Sequence, residues 1–243
     1  HSAPYLHDLI GRYERVAADG WPCWAISNHD CPRVATRWGG PEPHPAKLRA
    51  AAATLLSLRG SVCIYQGEEL GLPEAEIAYE DLRDPYGLAM WPEFKGRDGC
   101  RTPMPWSADA PDMGFGSGNA RPWLPLPEAH RQLAVDRQWA RPDSLLHHYT
   151  QLLKWRRTHP ALVKGSMTLL PRHEQVLAHV REHEGQSVLC AFNLSDDVAT
   201  LTLPPGISPI AVLSDSGATG AVLHGDSVRF EPWGVLFAGV EVS

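Results

Sequence analysis

Three polar residues, Asn28, His29 and Asp30, directly follow a short apolar stretch at 23–27. If that stretch is a buried parallel strand, its polar end lies where α/β barrels carry their active sites. A carboxylate there can oppose positive charge that develops on a sugar ring, and a neutral imidazole can donate a hydrogen bond to a hydroxyl. An Asx turn followed by a helix cap would use the same residues. From these three residues alone, both interpretations stay open.

A second polar loop, at 96–106, carries Arg97 and Arg101 among Gly, Asp and Pro residues. Such a stiff loop can hold a guanidinium group against hydroxyls or an anion. A surface loop of ion pairs would have the same composition, and taken alone the segment favours that interpretation. The loop after Asp30 adds a third guanidinium group, that of Arg33.

Alternating elements are predicted for the first part of the chain. Apolar residues at helical spacing predict helices at 4–17 and 46–59, and apolar segments predict buried strands at 23–27 and 61–65. Helix, strand, helix, strand is typical of a parallel α/β sheet. Cys23 lies in the first of these strands and Cys63 in the second, so both thiols are predicted to be small buried hydrophobes.

The sequence pattern changes near residue 162. Residues 72–142 lack regular periodicity, which is typical of a functional excursion, and Asp143 or Ser144 then caps a further helix. After residue 162, short β-branched segments alternate with turns at roughly 8–12-residue intervals, as in an antiparallel sandwich. We therefore predict two domains, an α/β domain at 1–162 and an all-β domain at 163–243.

Composition excludes several classes of protein. The net charge is −6 and the pI about 6.0, which argues against a nucleic-acid partner. No apolar run is long enough to cross a bilayer, so no membrane partner is expected. The five cysteines include no C-x-x-C pair. Reduced thiols favour a cytoplasmic location.

Three segments together resemble glycoside hydrolase family 13, the α-amylase superfamily, and specifically its exo-acting α-glucosidases. Residues 24–33 are similar to the segment that ends the seventh barrel strand, 65–71 to the eighth strand and its turn, and 96–106 to the loop that follows. The resemblance covers about residues 1–160, and the β domain resembles the family's usual C-terminal domain. It implies the C-terminal part of a (β/α)8 TIM barrel followed by an antiparallel β-sandwich.

The resemblance also implies roles for individual residues. Asp30 would be the family's third acidic residue, which binds the 2- and 3-hydroxyls of the glucosyl unit and stabilises the oxocarbenium-like transition state. His29 would hydrogen-bond the same unit. Arg97 would contact the 4-hydroxyl at the non-reducing end and make the enzyme exo-acting. Arg33 and an acid near Glu74 are expected toward the leaving group.

Retaining glycosidases also need a nucleophilic carboxylate and a protonated acid about 5–5.5 Å apart. In the family these groups come from the fourth and fifth barrel strands, which we expect to precede this chain. Asp143 and His147 imitate the spacing of the nucleophile segment, but they open a helix, and Asp143 is predicted to be its cap. The adjacent pair Glu68 and Glu69 is predicted to be structural. The expected partner is therefore the missing N-terminal barrel segment of the same enzyme.

The leading hypothesis is retaining hydrolysis of non-reducing-end α-glucosidic bonds in a short oligosaccharide or glucoside. This chain would supply the transition-state-stabilising part of the site and would be inactive alone. The alternatives are a sucrose-active transglucosidase or isomerase, a non-catalytic sugar-binding protein or inactive fragment, and a carbohydrate-binding module, for which Trp233 is the sole cue. No cofactor is expected. No metal site is expected either, because His179 and His183 lack a third ligand and no calcium-loop spacing occurs.

Overall fold

A computed structural model describes residues 2–17, 19–40, 44–116 and 121–243. The chain forms two compact units, and each collects segments that are distant in the sequence. The first, here the sheet unit, comprises residues 1–24, 45–63 and 150–243; the second, the loop unit, comprises 25–44 and 64–149. The sheet unit contains residues on both sides of position 162, and the domain boundary proposed there stays a prediction.

The helices and strands follow in chain order. The described α-helices are α1 (Ala3–Val16), α2 (Val34–Gly39), α3 (Pro45–Ser57), α4 (Pro85–Ala89), α5 (Glu128–Arg131), α6 (Val135–Trp139), α7 (Leu145–Arg157) and α8 (Pro160–Lys164). The described strands are β1 (Cys23–Trp24), β2 (Ser61–Val62), β3 (Ser166–Leu169), β4 (Val176–His183), β5 (Gln186–Asn193), β6 (Ala199–Thr202), β7 (Ile207–Val212), β8 (Ala221–His224), β9 (Ser227–Phe230) and β10 (Val235–Val242).

Helices α1 and α3 confirm the predicted helices within two residues at each end. Helix α1 begins at Ser2, whose side-chain oxygen accepts a hydrogen bond from the backbone N–H of Tyr5 at 3.4 Å, and Pro4 lies in its first turn. It buries Leu6 and Ile10. Helix α3 buries its whole second half, which is why the segment is almost entirely Ala and Leu.

Strands β1 and β2 are parallel, as predicted, with Cys23 opposite Ser61 and Trp24 opposite Val62. Their regular part is only two residues each, shorter than the predicted 23–27 and 61–65. The predicted burial of Cys23 and Cys63 is wrong, because both are exposed. In the described part of the chain these two strands form a sheet of their own, and two isolated strands are only marginally stable by themselves.

The predicted antiparallel sandwich is confirmed. Five strands form one sheet in the order β3-β4-β5-β10-β7, and three form another in the order β6-β9-β8, with antiparallel pairing throughout. Side chains from both sheets share one hydrophobic core. Its buried members are Leu170, Val176, Ala178, Val180, Leu189, Ala191, Ala199, Leu201, Leu203, Val228, Phe230, Leu236, Ala238 and Val240.

The larger sheet is covered on its second face as well, where β4 contacts α1 and α8, and β5 contacts α3. Successive side chains of a strand point to opposite faces, so burial on both faces explains why β4 is buried from Val176 to Arg181. On this second face His179 lies 3.3 Å from the carbonyl oxygen of Ser57. No cluster of three metal-ligating side chains occurs among the residues described.

Arg181 is fully buried in this sheet, at 0% exposure. Its guanidinium group donates to three backbone carbonyl oxygens, those of Ser57 at 2.6 Å, Gly165 at 2.9 Å and Ser166 at 3.0 Å. Burial lowers its pKa to about 10, still far above neutral pH. A charged side chain therefore joins the C-terminal end of α3 to the start of β3.

The loop unit contains more regular structure than the predicted excursion at 72–142. Helices α4, α5 and α6 lie within it, although none exceeds five residues. Of the two predicted caps of α7, Ser144 is confirmed, because its side-chain oxygen accepts a hydrogen bond from the backbone N–H of His147 at 3.2 Å; a capping role of Asp143 stays a prediction. Across the described ranges, no helix has both the length and the apolar character required to cross a bilayer.

Candidate active site

The two loops singled out in the sequence meet in the loop unit. The Oδ1 atom of Asp30 accepts hydrogen bonds from Nη1 of Arg97 at 2.9 Å and from Nη2 of Arg101 at 3.0 Å. Arg101 also donates through Nε to the backbone carbonyl of His29 at 2.8 Å. His29, Arg97 and Arg101 thus lie together around the Asp30 carboxylate. The family resemblance gives a role to His29, Arg97 and Asp30, and Arg101 belongs to the same loop as Arg97.

An Asx turn fixes the direction of the His29 and Asp30 side chains. The Asn28 side-chain oxygen accepts the backbone N–H of Asp30 at 2.8 Å. The side chain of Asp30 is 52% exposed, that of His29 is exposed too, and Nε2 of His29 lies 3.4 Å from Oδ2 of Asp30. The turn and the functional interpretation are therefore compatible, because the turn leaves both side chains open to solvent.

Asp84 is a member of this cluster that the sequence reasoning missed. Its carboxylate accepts from Nε of Arg97 at 2.8 Å, from Nη2 of Arg97 at 2.9 Å and from the Arg97 backbone N–H at 2.8 Å. These hydrogen bonds hold the pKa of Asp84 well below its ordinary value. The signal that could have found it is Asp84-Pro85, a typical helix start, and Asp84 is indeed the N-cap of α4.

Arg33 and Glu74, which the resemblance places toward the leaving group, are bound to backbone and side-chain groups of the loop unit. Arg33 is only 2% exposed. It donates to the carbonyl of Gln66 at 2.7 Å and to the hydroxyl of Thr102 at 3.4 Å. Glu74, also largely buried, accepts the backbone N–H of Arg33 at 2.8 Å. Their contact with a leaving group stays a prediction, whereas the observed bonds join three loops of the site.

Burial shifts the pKa values of both groups. Desolvation lowers the pKa of Arg33 and raises that of Glu74, and the opposite charge of each group opposes the pKa shift of the other. The Glu74 carboxylate also packs closely against Gly99, because a Cβ added at Gly99 would lie 2.4 Å from Oε1 of Glu74. Arg33 is thus buried inside the loop unit, and the partly buried Glu74 holds the Arg33 backbone in place.

Glu68 is a buried acid on the turn after the second predicted strand. The hydroxyl of Tyr149 donates to its Oε1 atom at 2.9 Å. Burial raises the pKa of Glu68 to about 7, and the Tyr149 hydrogen bond opposes that shift. Its Oε1 atom is bound to Tyr149 and its side chain is buried, unlike that of Asp30, which agrees with the predicted structural role of Glu68.

Glu68→Gln is expected to remove part of the pH dependence of unfolding. The folded-state pKa of about 7 exceeds the ordinary value of 4.5, so the folded protein binds this proton more tightly, and stability is lost as pH rises from about 4.5 to about 7. Across that window the variant should gain about 3 kcal/mol in the free energy of unfolding relative to the parent. Urea unfolding at pH 4.5 and pH 8 measures this, with exposed Glu93→Gln as the control. Parallel pH profiles for Glu68→Gln and the parent would contradict it.

Comparison with known proteins decides the family. Residues 5–165 match the family described as alpha amylase, catalytic domain, and residues 167–234 match the maltogenic amylase C-terminal domain. The chain belongs to the α-amylase family. The resemblance to glycoside hydrolase family 13, with its partial barrel and C-terminal sandwich, is thereby confirmed.

Two curated members of the α-amylase family illustrate the similarity. A probable alpha-glucosidase from Rhizobium meliloti is 46% identical over 95% of this chain, and an oligo-1,6-glucosidase from Heyndrickxia coagulans is 32% identical over 82% of it. The chain spans 41% of the first relative and 39% of the second.

Solved structures of the family show the same fold. The crystal structure of an alpha-glucosyl transfer enzyme superposes with a TM-score of 0.92 at 50% identity, covering 99% of this chain and 44% of the other. The trehalulose synthase from Pseudomonas mesoacidophila MX-45 gives a TM-score of 0.85 at 25% identity, with coverages of 99% and 47%.

Proposed function

We propose that this chain supplies the transition-state-binding part of the glucosyl site of a retaining α-glucosidase. The observation that carries the proposal is the half-exposed Asp30 carboxylate, held between Arg97 and Arg101 beside an exposed imidazole. Related proteins with alpha-glucosidase and oligo-1,6-glucosidase names support the same substrate class, short α-glucosides.

The geometry divides the two oxygens of Asp30 between protein and ligand. Both arginines bind Oδ1, which leaves Oδ2, next to His29, for the hydroxyls of a glucosyl unit. As the bond to the leaving group breaks, positive charge develops on the sugar ring, and a fixed carboxylate opposes it without having to reorganise. Arg97 would close the non-reducing end by donating to the 4-hydroxyl.

The two covalent steps need a nucleophile and an acid–base residue. Asp84 is a poor nucleophile, because its side chain is 0% exposed and its oxygens are occupied by Arg97. Glu68 is bound to Tyr149. The proposal therefore assigns both covalent roles to carboxylates outside these 243 residues, and the 41% coverage of the Rhizobium relative leaves room for them.

An intact-mass measurement and a hydrolysis assay with 4-nitrophenyl α-glucoside, made on the same purified sample, test the proposal. A species larger than 26.8 kDa, or a second fragment, that releases 4-nitrophenol supports it. A single 26.8 kDa species without activity favours the alternative, an inactive fragment or a non-catalytic sugar-binding protein.

Glucosyl transfer is a second candidate function. The observation in its favour is the 50% identity to a structure named as an alpha-glucosyl transfer enzyme, together with the fold shared with a trehalulose synthase. In both reactions Asp30 would have the same role, and the acceptor alone would differ. Adding an alcohol acceptor to the assay and comparing released glucose with glucosylated acceptor distinguishes transfer from hydrolysis.

A further inference from the structure

The guanidinium group of Arg97 is divided between a buried and an open carboxylate. Its Nε and Nη2 atoms bind Asp84, whose side chain is 0% exposed, and its Nη1 atom binds Asp30, whose side chain is 52% exposed. A two-point contact with a carboxylate fixes the plane of a guanidinium group as well as its position. The buried contact therefore determines where the remaining N–H groups of Arg97 point.

Asp84 is itself fixed by its surroundings. Its backbone N–H donates to Oδ2 of the fully buried Asp98 at 2.8 Å, and its Oδ1 atom accepts the backbone N–H of Tyr86 at 3.2 Å. The ring of Tyr86 lies 5.0 Å from the guanidinium carbon of Arg97, which places a cation–π contact on one face of that group.

A close backbone approach brings Asp84 to Arg97. A Cβ added at Gly96 would lie 2.9 Å from the Cα of Gly87 and 3.0 Å from Oδ2 of Asp84, and one added at Gly87 would lie 2.7 Å from the carbonyl oxygen of Lys95. Gly96 also has φ of +78°, which favours glycine. The start of α4 and the loop before Arg97 thus touch backbone to backbone.

We propose that Asp84 is a positioning residue, which orients Arg97 toward Asp30 and the non-reducing end of the glucosyl unit. It does not touch the substrate and acts through Arg97 alone. The inference rests on the proposed function, since that function gives Arg97 its role at the sugar. If Asp84 were only the N-cap of α4, it would need the hydrogen bond from the Tyr86 backbone N–H but none of its three hydrogen bonds from Arg97.

Asp84→Asn separates these two roles. Asparagine is an equally good N-cap, so α4 should persist, but it loses the negative charge and points an amide N–H₂ group at the donors of Arg97. Misplacing a substrate-orienting group by about 1 Å can cost about 100-fold in rate. We expect kcat/KM for 4-nitrophenyl α-glucoside to fall about 10- to 100-fold.

A double-mutant cycle with Arg97→Lys tests the route of the effect, because lysine cannot make the two-point contact. If Asp84 acts through Arg97, adding Asp84→Asn to Arg97→Lys should change kcat/KM less than about threefold. A full additional loss in the double variant would overturn the proposal. Asp81→Asn is the matched control, because Asp81 pairs with Arg121 in the same loop unit.

A second readout does not depend on activity. In the parent protein, the Nε–H of Arg97 is bound to a buried carboxylate and should give a slowly exchanging ¹H–¹⁵N signal, assigned by its disappearance in Arg97→Lys. Asp84→Asn should broaden or abolish it, and an unchanged signal would overturn the proposal. If the signal is lost but even the parent protein hydrolyses no glucoside, the positioning role stands and the proposed function fails.

Discussion

Asp30→Asn is expected to lower kcat for glucoside hydrolysis about 1,000-fold in the protein that carries this chain. Asparagine has nearly the same shape and can still accept from Arg97 and Arg101 through its side-chain oxygen, but it lacks the charge that would oppose an oxocarbenium-like centre. Removal of one preorganised electrostatic contact to a transition state typically costs 100- to 1,000-fold. Initial rates over a range of 4-nitrophenyl α-glucoside concentrations measure the change.

The matched control for this variant is Asp109→Asn. Asp109 is an exposed acid of the same unit that pairs with Arg137, so its loss should leave the rate within about twofold. Because Asp30 is half-exposed, its substitution should change the free energy of unfolding by no more than about 1 kcal/mol. If Asp30→Asn retained a tenth of the parental kcat, the proposed role of Asp30 would be refuted.

Arg181→Met is expected to lower the free energy of unfolding by about 3 kcal/mol. Methionine fills much of the volume but leaves the carbonyl oxygens of Ser57, Gly165 and Ser166 without the donors they now have. An unpaired buried polar group costs about 1–3 kcal/mol. Replacing a buried ion pair by apolar groups can be neutral when both partners are removed, but here the carbonyl oxygens remain.

Urea unfolding at neutral pH measures the loss, and two further variants calibrate it. Arg229→Met removes an exposed arginine of β9 that pairs with Glu231, so its effect should stay within about 0.5 kcal/mol. Arg181→Lys keeps the charge but can donate to fewer of the three carbonyl oxygens. Its loss in the free energy of unfolding should therefore lie between the losses of Arg229→Met and Arg181→Met. A loss below 1 kcal/mol in Arg181→Met would show that the three carbonyl bonds contribute little.

The sequence predicted most of the secondary structure, because helices and strands depend on local patterns. The periodicity of α1 and α3 and the turn spacing of the sandwich are properties of short windows. The placement of Asp30 and Arg97 at one site came instead from the family resemblance of residues 24–33 and 96–106, and the structure brings the two side chains to 2.9 Å. The same reasoning could not determine the surroundings of single side chains.

Three residues show this limit. The apolar neighbours of Cys23 predict that it is buried, but it is exposed, because exposure depends on what packs beside the strand. The sequence analysis did not single out Arg181, because its burial follows from the cover that α1, α3 and α8 give to the sheet and not from the pattern of its own strand. The link from Asp84 to Arg97 depends on a backbone contact between two glycines, which no periodicity records.

The contact between Gly87 and Gly96 also has an evolutionary consequence. A Cβ added at either glycine would lie within 3.1 Å of backbone atoms of the opposite segment. Any substitution at these two positions therefore adds a Cβ that clashes with the opposite main chain. We therefore expect both glycines to be retained during evolution, whereas Leu88 and Met90, which are exposed, can be substituted freely. In a saturation library selected for growth on a glucoside, the surviving sequences should retain both glycines and diversify at the residues between them.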